Sequence, residues 1–164
     1  MARVLSESVT NAEGNLYNAT DVAPGFSRSV VGVAAPAAAQ ADTDTIHFLR
    51  VKSNWIIEQV LISAADATVA GAMNVGLYDT NENGGAAVDA DLFASALDLA
   101  AGPYNNADIT HESGEYTYAE TEKPLWEVLG LAADPIKDYD LVGDITTTFN
   151  GGPTSIKMLV RYRQ

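Results

Sequence analysis

Asp79-Thr80-Asn81-Glu82-Asn83-Gly84 places oxygen-bearing side chains at alternate positions and a glycine at the sixth, the opening half of a calcium-binding loop. The closing half is missing: the twelfth position, where a bidentate carboxylate belongs, is Ala90, and neither Asp89 nor Asp91 takes that place in register. The pattern before the loop is that of a strand, not of an entering helix. Asn, Asp and Gly gather at hairpin tips because they tolerate turn conformations. The Asp79–Asp91 segment is therefore read as a plain turn, with no tightly held calcium.

His47 and His111 are the only histidines, and no HxH, HxxxH or HExxH spacing accompanies them. His47 lies in an apolar strand-like run and is read as a packed or edge residue; His111, beside Glu112 in a polar stretch, is read as a solvated loop residue. No nucleophile elbow supports a Ser-His-Asp arrangement. Glu112, Glu115, Glu120 and Glu122 surround Tyr116 and Tyr118, a pattern that a sugar-binding face could use, although a solvated loop is the plainer reading. With no cysteine, no phosphate-cradling loop and no dinucleotide fingerprint, thiol chemistry is excluded and no cofactor is expected. No catalytic, cofactor-binding or metal-ligating residue is assigned, and the chain is not expected to be an enzyme.

The elements around these residues are mostly strands. Thr45–Val51 is β-rich, Ser53-Asn54 turns the chain, and a second apolar run follows from Trp55 to Ile62. Met73, Val75 and Leu77 alternate with small or polar neighbours. Asp91–Leu99 fits both periods and is read as strand. One short helix is expected, opened by Thr121 or Glu122, with Pro124 in its first turn, Leu125, Trp126, Val128 and Leu129 as its apolar face and Gly130 at its end. It would plug one end of a sandwich. Tyr139, Leu141, Ile145 and Phe149 alternate, as do Ile156, Met158, Val160 and Tyr162, with Asn150–Pro153 between them. This predicts an antiparallel hairpin with Ile145 opposite Met158, Leu141 opposite Tyr162, and Asp140 opposite Arg163 on the outside. Many short strands separated by turns, with no repeat, predict an all-β antiparallel sandwich, jelly-roll-like, with one short helix and an extended N-terminal arm.

Length and charge narrow the function further. The 164 residues suit one core, with residues 45–164 as the sandwich and 1–44 as an arm and joint. Residues 1–27 scatter their large apolar side chains, and Ala34–Asp44 is an alanine-rich joint broken by Pro36. A secretory leader is not expected, and the longest apolar run, Val30–Ala39, is too short to span a bilayer. The net charge of −13 argues against a nucleic-acid surface, because phosphate binding rests on Lys and Arg. Neither a nucleic-acid nor a membrane partner is expected.

Three stretches resemble a known family: Val75–Thr80 with Val88–Ala96, then Glu122–Leu131, then Asp134-Pro135 with Asp138-Tyr139-Asp140 and the closing alternation. They are similar to the head decoration, or cement, proteins of tailed bacteriophages, over roughly residues 45–163. The resemblance implies a jelly-roll-like sandwich, made in the host cytoplasm, that sits on the outer capsid surface, joins neighbouring capsomers and resists internal DNA pressure. It implies the major capsid protein and other copies of itself, as dimer or trimer, as partners, and no catalytic residues. A carbohydrate- or receptor-binding module of a phage virion is the alternative. Val4, Leu5, Val9, Tyr17 and Phe26 in the arm, with Lys157, Arg161 and Arg163 near the C-terminus, are the candidate partner-binding residues: the first set as apolar anchors, the second as a basic stripe for an acidic shell.

Overall fold

Alternating apolar and polar residues become strands here because each strand can bury one side against a second sheet. A computed structural model describes residues 3–5, 27–36, 39–64, 70–150 and 155–164. Its strands are β1 (Arg3–Leu5), β2 (Arg28–Ala34), β3 (Ala39–Gln40), β4 (Thr45–Lys52), β5 (Ile56–Ala64), β6 (Ala72–Asp79), β7 (Ala87–Asp98), β8 (Tyr104–Asp108), β9 (Asp138–Thr147), β10 (Phe149–Asn150) and β11 (Ile156–Arg163). One α-helix, α1 (Leu125–Val128), lies among the described residues, and no helix there is long and apolar enough to cross a membrane.

The strands form a five-stranded sheet in the order β1-β4-β9-β6-β7 and a four-stranded sheet in the order β2-β11-β5-β8, with a small β10-β3 ribbon. All pairings are antiparallel except that of β1 with β4. Counting the eight longest strands in chain order, one sheet reads first, eighth, third, sixth and the other second, seventh, fourth, fifth. That winding is a jelly roll, as expected. Phe48, Ile62, Met73, Leu77, Phe93, Tyr139, Met158 and Tyr162 fill the space between the sheets.

Several local expectations hold. Met158 and Val160 are buried while Arg161 is exposed, and residues 91–98 belong to strand β7. Helix α1 starts later than predicted. Pro124 is its extended N-cap and bridges Ile56 as a strand residue would, and Gly130 ends the turn at φ +70°. The N–H groups of Leu125 and Trp126 donate to the carbonyls of Trp55 and Ser53, both at 2.9 Å, so the helix does close one end of the sandwich.

The C-terminal hairpin is a correction. β9 lies between β4 and β6, whereas β11 lies between β2 and β5 in the other sheet. Met158 is level with Gly32 and Ile62, and Ile145 with Met73. Alternation shows that each strand has an apolar face, but two such faces are satisfied equally well across a core as side by side. The connecting residues 151–154 lie outside the described residues. Residues 28–34, assigned from sequence to the arm and joint, form β2 and pair with β11 throughout.

β7 does not run evenly beside β6. Val75 pairs with Ala94 but Leu77 pairs with Asp89, so two steps on β6 match five on β7. The surplus folds over β6 at Gly76, where a Cβ would lie 2.1 Å from the Asp89 carbonyl oxygen and 2.4 Å from the Ala90 carbonyl carbon. Glycine is the residue that admits that backbone.

Candidate functional site

Three places in this framework concentrate polar or exposed apolar groups, and the first is internal. β4 pairs with β9 so that Arg50 stands level with Asp140 and His47 with Val142. His47 Nδ1 is 2.8 Å from Asp140 Oδ2, and Thr45 Oγ1 is 3.3 Å from His47 Nε2. Arg50 Nε donates to Asp140 Oδ1 at 3.2 Å, and its Nη2 reaches both oxygens of Glu82 at 3.0 and 3.2 Å. Glu82 sits in the 3₁₀ turn Asn81–Asn83 just after β6, so the chain of contacts fastens that turn to β4 and β9. Tyr78 sets its ring edge-on to His47 at 6.3 Å.

Hydroxyl, imidazole and carboxylate follow one another here in the order of a hydrolytic triad. Thr45, His47 and Asp140 are 1%, 2% and 0% exposed, however, so no substrate carbonyl can approach the hydroxyl. The arrangement is a buried pin. His47 is packed, as read from sequence, whereas Asp140, predicted to face outward, is buried. The two lie 93 residues apart, and the signal in the sequence was limited to a lone polar ring inside an apolar strand. His111 is exposed, as expected; its Nδ1 lies 2.5 Å from the Tyr116 carbonyl oxygen and its ring stacks on Tyr116 at 5.9 Å.

The second place is acidic. Asp79, the first oxygen of the half calcium loop, accepts from Lys137 Nζ at 2.6 Å, Glu82 is held by Arg50, and Asn83 Nδ2 donates to Thr80 Oγ1 at 3.1 Å. The loop side chains are thus engaged with one another and with two cations. The surplus of β7 instead brings Asp89 and Asp91 together with Glu115, with one carboxylate oxygen of each within 4.8 Å of the others. Burial pushes the Asp89 carboxyl above the usual carboxylate range and the charge of Asp91 adds to this, against backbone hydrogen bonds from Asp91 and Leu92. Nothing in the spacing 89, 91 and 115 announced this meeting.

The acidic-aromatic patch around residues 112–122 comes apart. Tyr116 is fully buried, with its hydroxyl donating to the Ile57 carbonyl at 2.7 Å and its pKa driven up by burial. Tyr118 is 85% exposed. Glu120 is taken up by Thr117 and by Lys123.

The third place is the outward side of the four-stranded sheet. Register sets Val31, Leu159 and Leu61 in one row, Val33, Lys157 and Ser63 in the next, and Ser29, Arg161 and Gln59 in the row on the other side. Val31 is 41% and Val33 48% exposed, which is unusual for large apolar residues on a strand. Of the basic residues singled out from sequence, Lys157 and Arg161 stand on this surface without an ion pair to any described residue. Arg163 is spent on Glu58 Oε1 at 2.8 Å. In the arm, Val4 and Leu5 belong to β1, which pairs with β4 of the same sheet. Val9, Tyr17 and Phe26 lie outside the described residues.

No protein-family profile matches this sequence, and no curated protein matches it. Solved structures do match in shape. A chain of the Cyanophage Pam1 capsid asymmetric unit superposes with a TM-score of 0.52 at 15% identity, covering 89% of this chain and 94% of that one. A chain of the capsid of Ralstonia phage GP4 superposes with a TM-score of 0.50 at 14% identity, covering 99% of this chain and 98% of that one. The likeness is one of fold. It covers most of both chains in each comparison.

Proposed function

We propose that this protein is a structural component of a phage virion that docks on the outer surface of the capsid and stabilises contacts between capsomers, with the major capsid protein and other copies of itself as partners. The observation that carries this reading is the near end-to-end likeness of fold to chains from two phage capsids. Among the described residues the arrangement nearest to a catalytic one is sealed in the sheet, and exposed Val31 and Val33 share the outward side of the four-stranded sheet with Lys157 and Arg161. The arm residues Val4, Leu5, Val9, Tyr17 and Phe26, with Lys157, Arg161 and Arg163, are the proposed contact set. Sugar binding through the 112–122 segment is disfavoured because Tyr116 is a core residue and its ring is not presented to solvent.

The test uses purified phage heads that lack this protein. Saturable binding of the purified chain, together with a higher temperature of head disruption, is the expected result. Heads that neither bind the chain nor gain stability from it would overturn the reading.

A further inference from the structure

We infer that the outward side of the four-stranded sheet, centred on Val31, Val33 and Leu159 and rimmed by Lys157 and Arg161, is the surface that seats this protein on its capsid partner, and that the partner offers an aliphatic patch bordered by carboxylates. The inference rests on the function proposed above and adds the surface and the chemistry that fits it.

β2 turns Val31 and Val33 outward, and register continues that apolar row through Leu159 on β11 to Leu61 on β5. Leu61 itself is only 9% exposed, so the open part of the row is Val31 with half-buried Leu159. Adjoining apolar residues on two neighbouring strands, Val31, Val33 and Leu159, mark a contact surface more strongly than scattered single residues do.

The chain carries 22 acidic residues against 9 basic ones, yet on β2 and β11 these rows contain Lys157 and Arg161 and no carboxylate; the carboxylate of the Leu61 row, Asp108, lies at the far edge on β8, where it accepts from Gln59 at 2.8 Å. Neither cation has an ion-pair partner among the described residues. Lys157 also lines a recess with Ser63, Tyr104, Asn105 and Ser155, open beside the strip. Complementary charge directs encounter and excludes wrong partners, so a surface of this kind fits an acidic rim. A second copy meeting it face to face would set Lys157 and Arg161 against themselves. Nucleic acid is disfavoured by the net charge of −13 and by the aliphatic centre of the surface.

The experiment measures affinity for heads lacking the protein. Three chains are compared with wild type: Lys157→Glu/Arg161→Glu, Val31→Thr/Val33→Thr, and the control Lys52→Glu/Lys123→Glu, which makes the same change in net charge elsewhere. Valine to threonine keeps β-branching and shape, so the second variant keeps the strand even if the first folds poorly. The expected result is a loss of more than about tenfold in affinity for both surface variants, with the control within about twofold of wild type. Surface variants that bind like wild type, or a control that falls equally far, would overturn this surface and leave the capsid function standing. Failure of wild type itself to bind would overturn both.

Discussion

Replacing Asp140 with alanine tests whether the buried chain from His47 to Glu82 holds the fold. Asp140 is 0% exposed and accepts from His47 Nδ1 at 2.8 Å and Arg50 Nε at 3.2 Å. Removing one partner of a buried charged pair costs about 3–5 kcal/mol, because the other is left without its counter-charge. Arg50 is 16% exposed and keeps Glu82, so the lower end applies, about 3 kcal/mol. Asparagine at 140 retains an oxygen acceptor and loses the charge assistance, roughly half of the bond strength, and should cost about 1.5 kcal/mol. Glutamine at 82 removes a pair whose carboxylate is 54% exposed and should cost well under about 1 kcal/mol. In a domain of this size each kcal/mol moves the midpoint by about 2–4 °C, which puts Asp140→Ala about 6–12 °C below wild type. Thermal and urea unfolding of the three variants, with the urea slope unchanged, is the assay. A loss under about 1 kcal/mol for Asp140→Ala, or asparagine falling as far as alanine, would refute the argument that charge pairing fastens the turn.

Gly76→Ala should destabilise by about 3 kcal/mol or abolish folding, because the added Cβ would meet the Asp89 carbonyl oxygen at 2.1 Å and backbone on both sides cannot step aside; urea unfolding reads it, and a cost under about 1 kcal/mol would show that the β7 excursion is soft. Ile136 holds φ +51° with its side chain 88% exposed, so Ile136→Gly should gain about 1 kcal/mol by removing Cβ strain while giving up little contact; a lower melting temperature in the variant would contradict this. Asp89→Asn should stabilise near neutral pH. A carboxyl whose folded pKa lies above its unfolded value disfavours the folded state once the pH exceeds both, and that penalty disappears as the pH falls below the ordinary carboxylate range. Unfolding midpoints of the two chains should therefore converge on acidification, and a gap that stays constant with pH would remove titration as its cause.

Strand β4 shows how far reading by pattern reaches. Thr45–Val51 announces a strand through β-branched and aromatic residues, and the structure has one there. The pattern does not tell that a register shift separates His47 from Leu49, or that both sides of the strand are buried. β2 was hidden for a different reason. Its residues Arg28–Ala34 run into an alanine-rich, proline-broken stretch that dilutes the period-2 signal, and only pairing with β11 makes them a strand. Helix α1 was legible because its signals are local: a proline before it, four apolar residues and a glycine after it.

The amino-acid sequence alone determined the all-β class, the inward set on β6, β9 and β11, the helix that closes one end, and the net charge of −13. These follow from period, turn chemistry and net charge, which are local or additive. Tertiary structure decided which strands lie side by side, that Asp140 meets His47 across 93 residues, and that Asp89, Asp91 and Glu115 converge. It also decided that Val31 and Val33 share a surface with Lys157 and Arg161. Each of these is a pairing between distant segments, and alternation is satisfied by any register that keeps the apolar faces inward. The choice among registers falls to close contacts such as Gly76 beneath Asp89 and Gly32 against the Phe48 carbonyl, which exist only once the sheets have closed on each other.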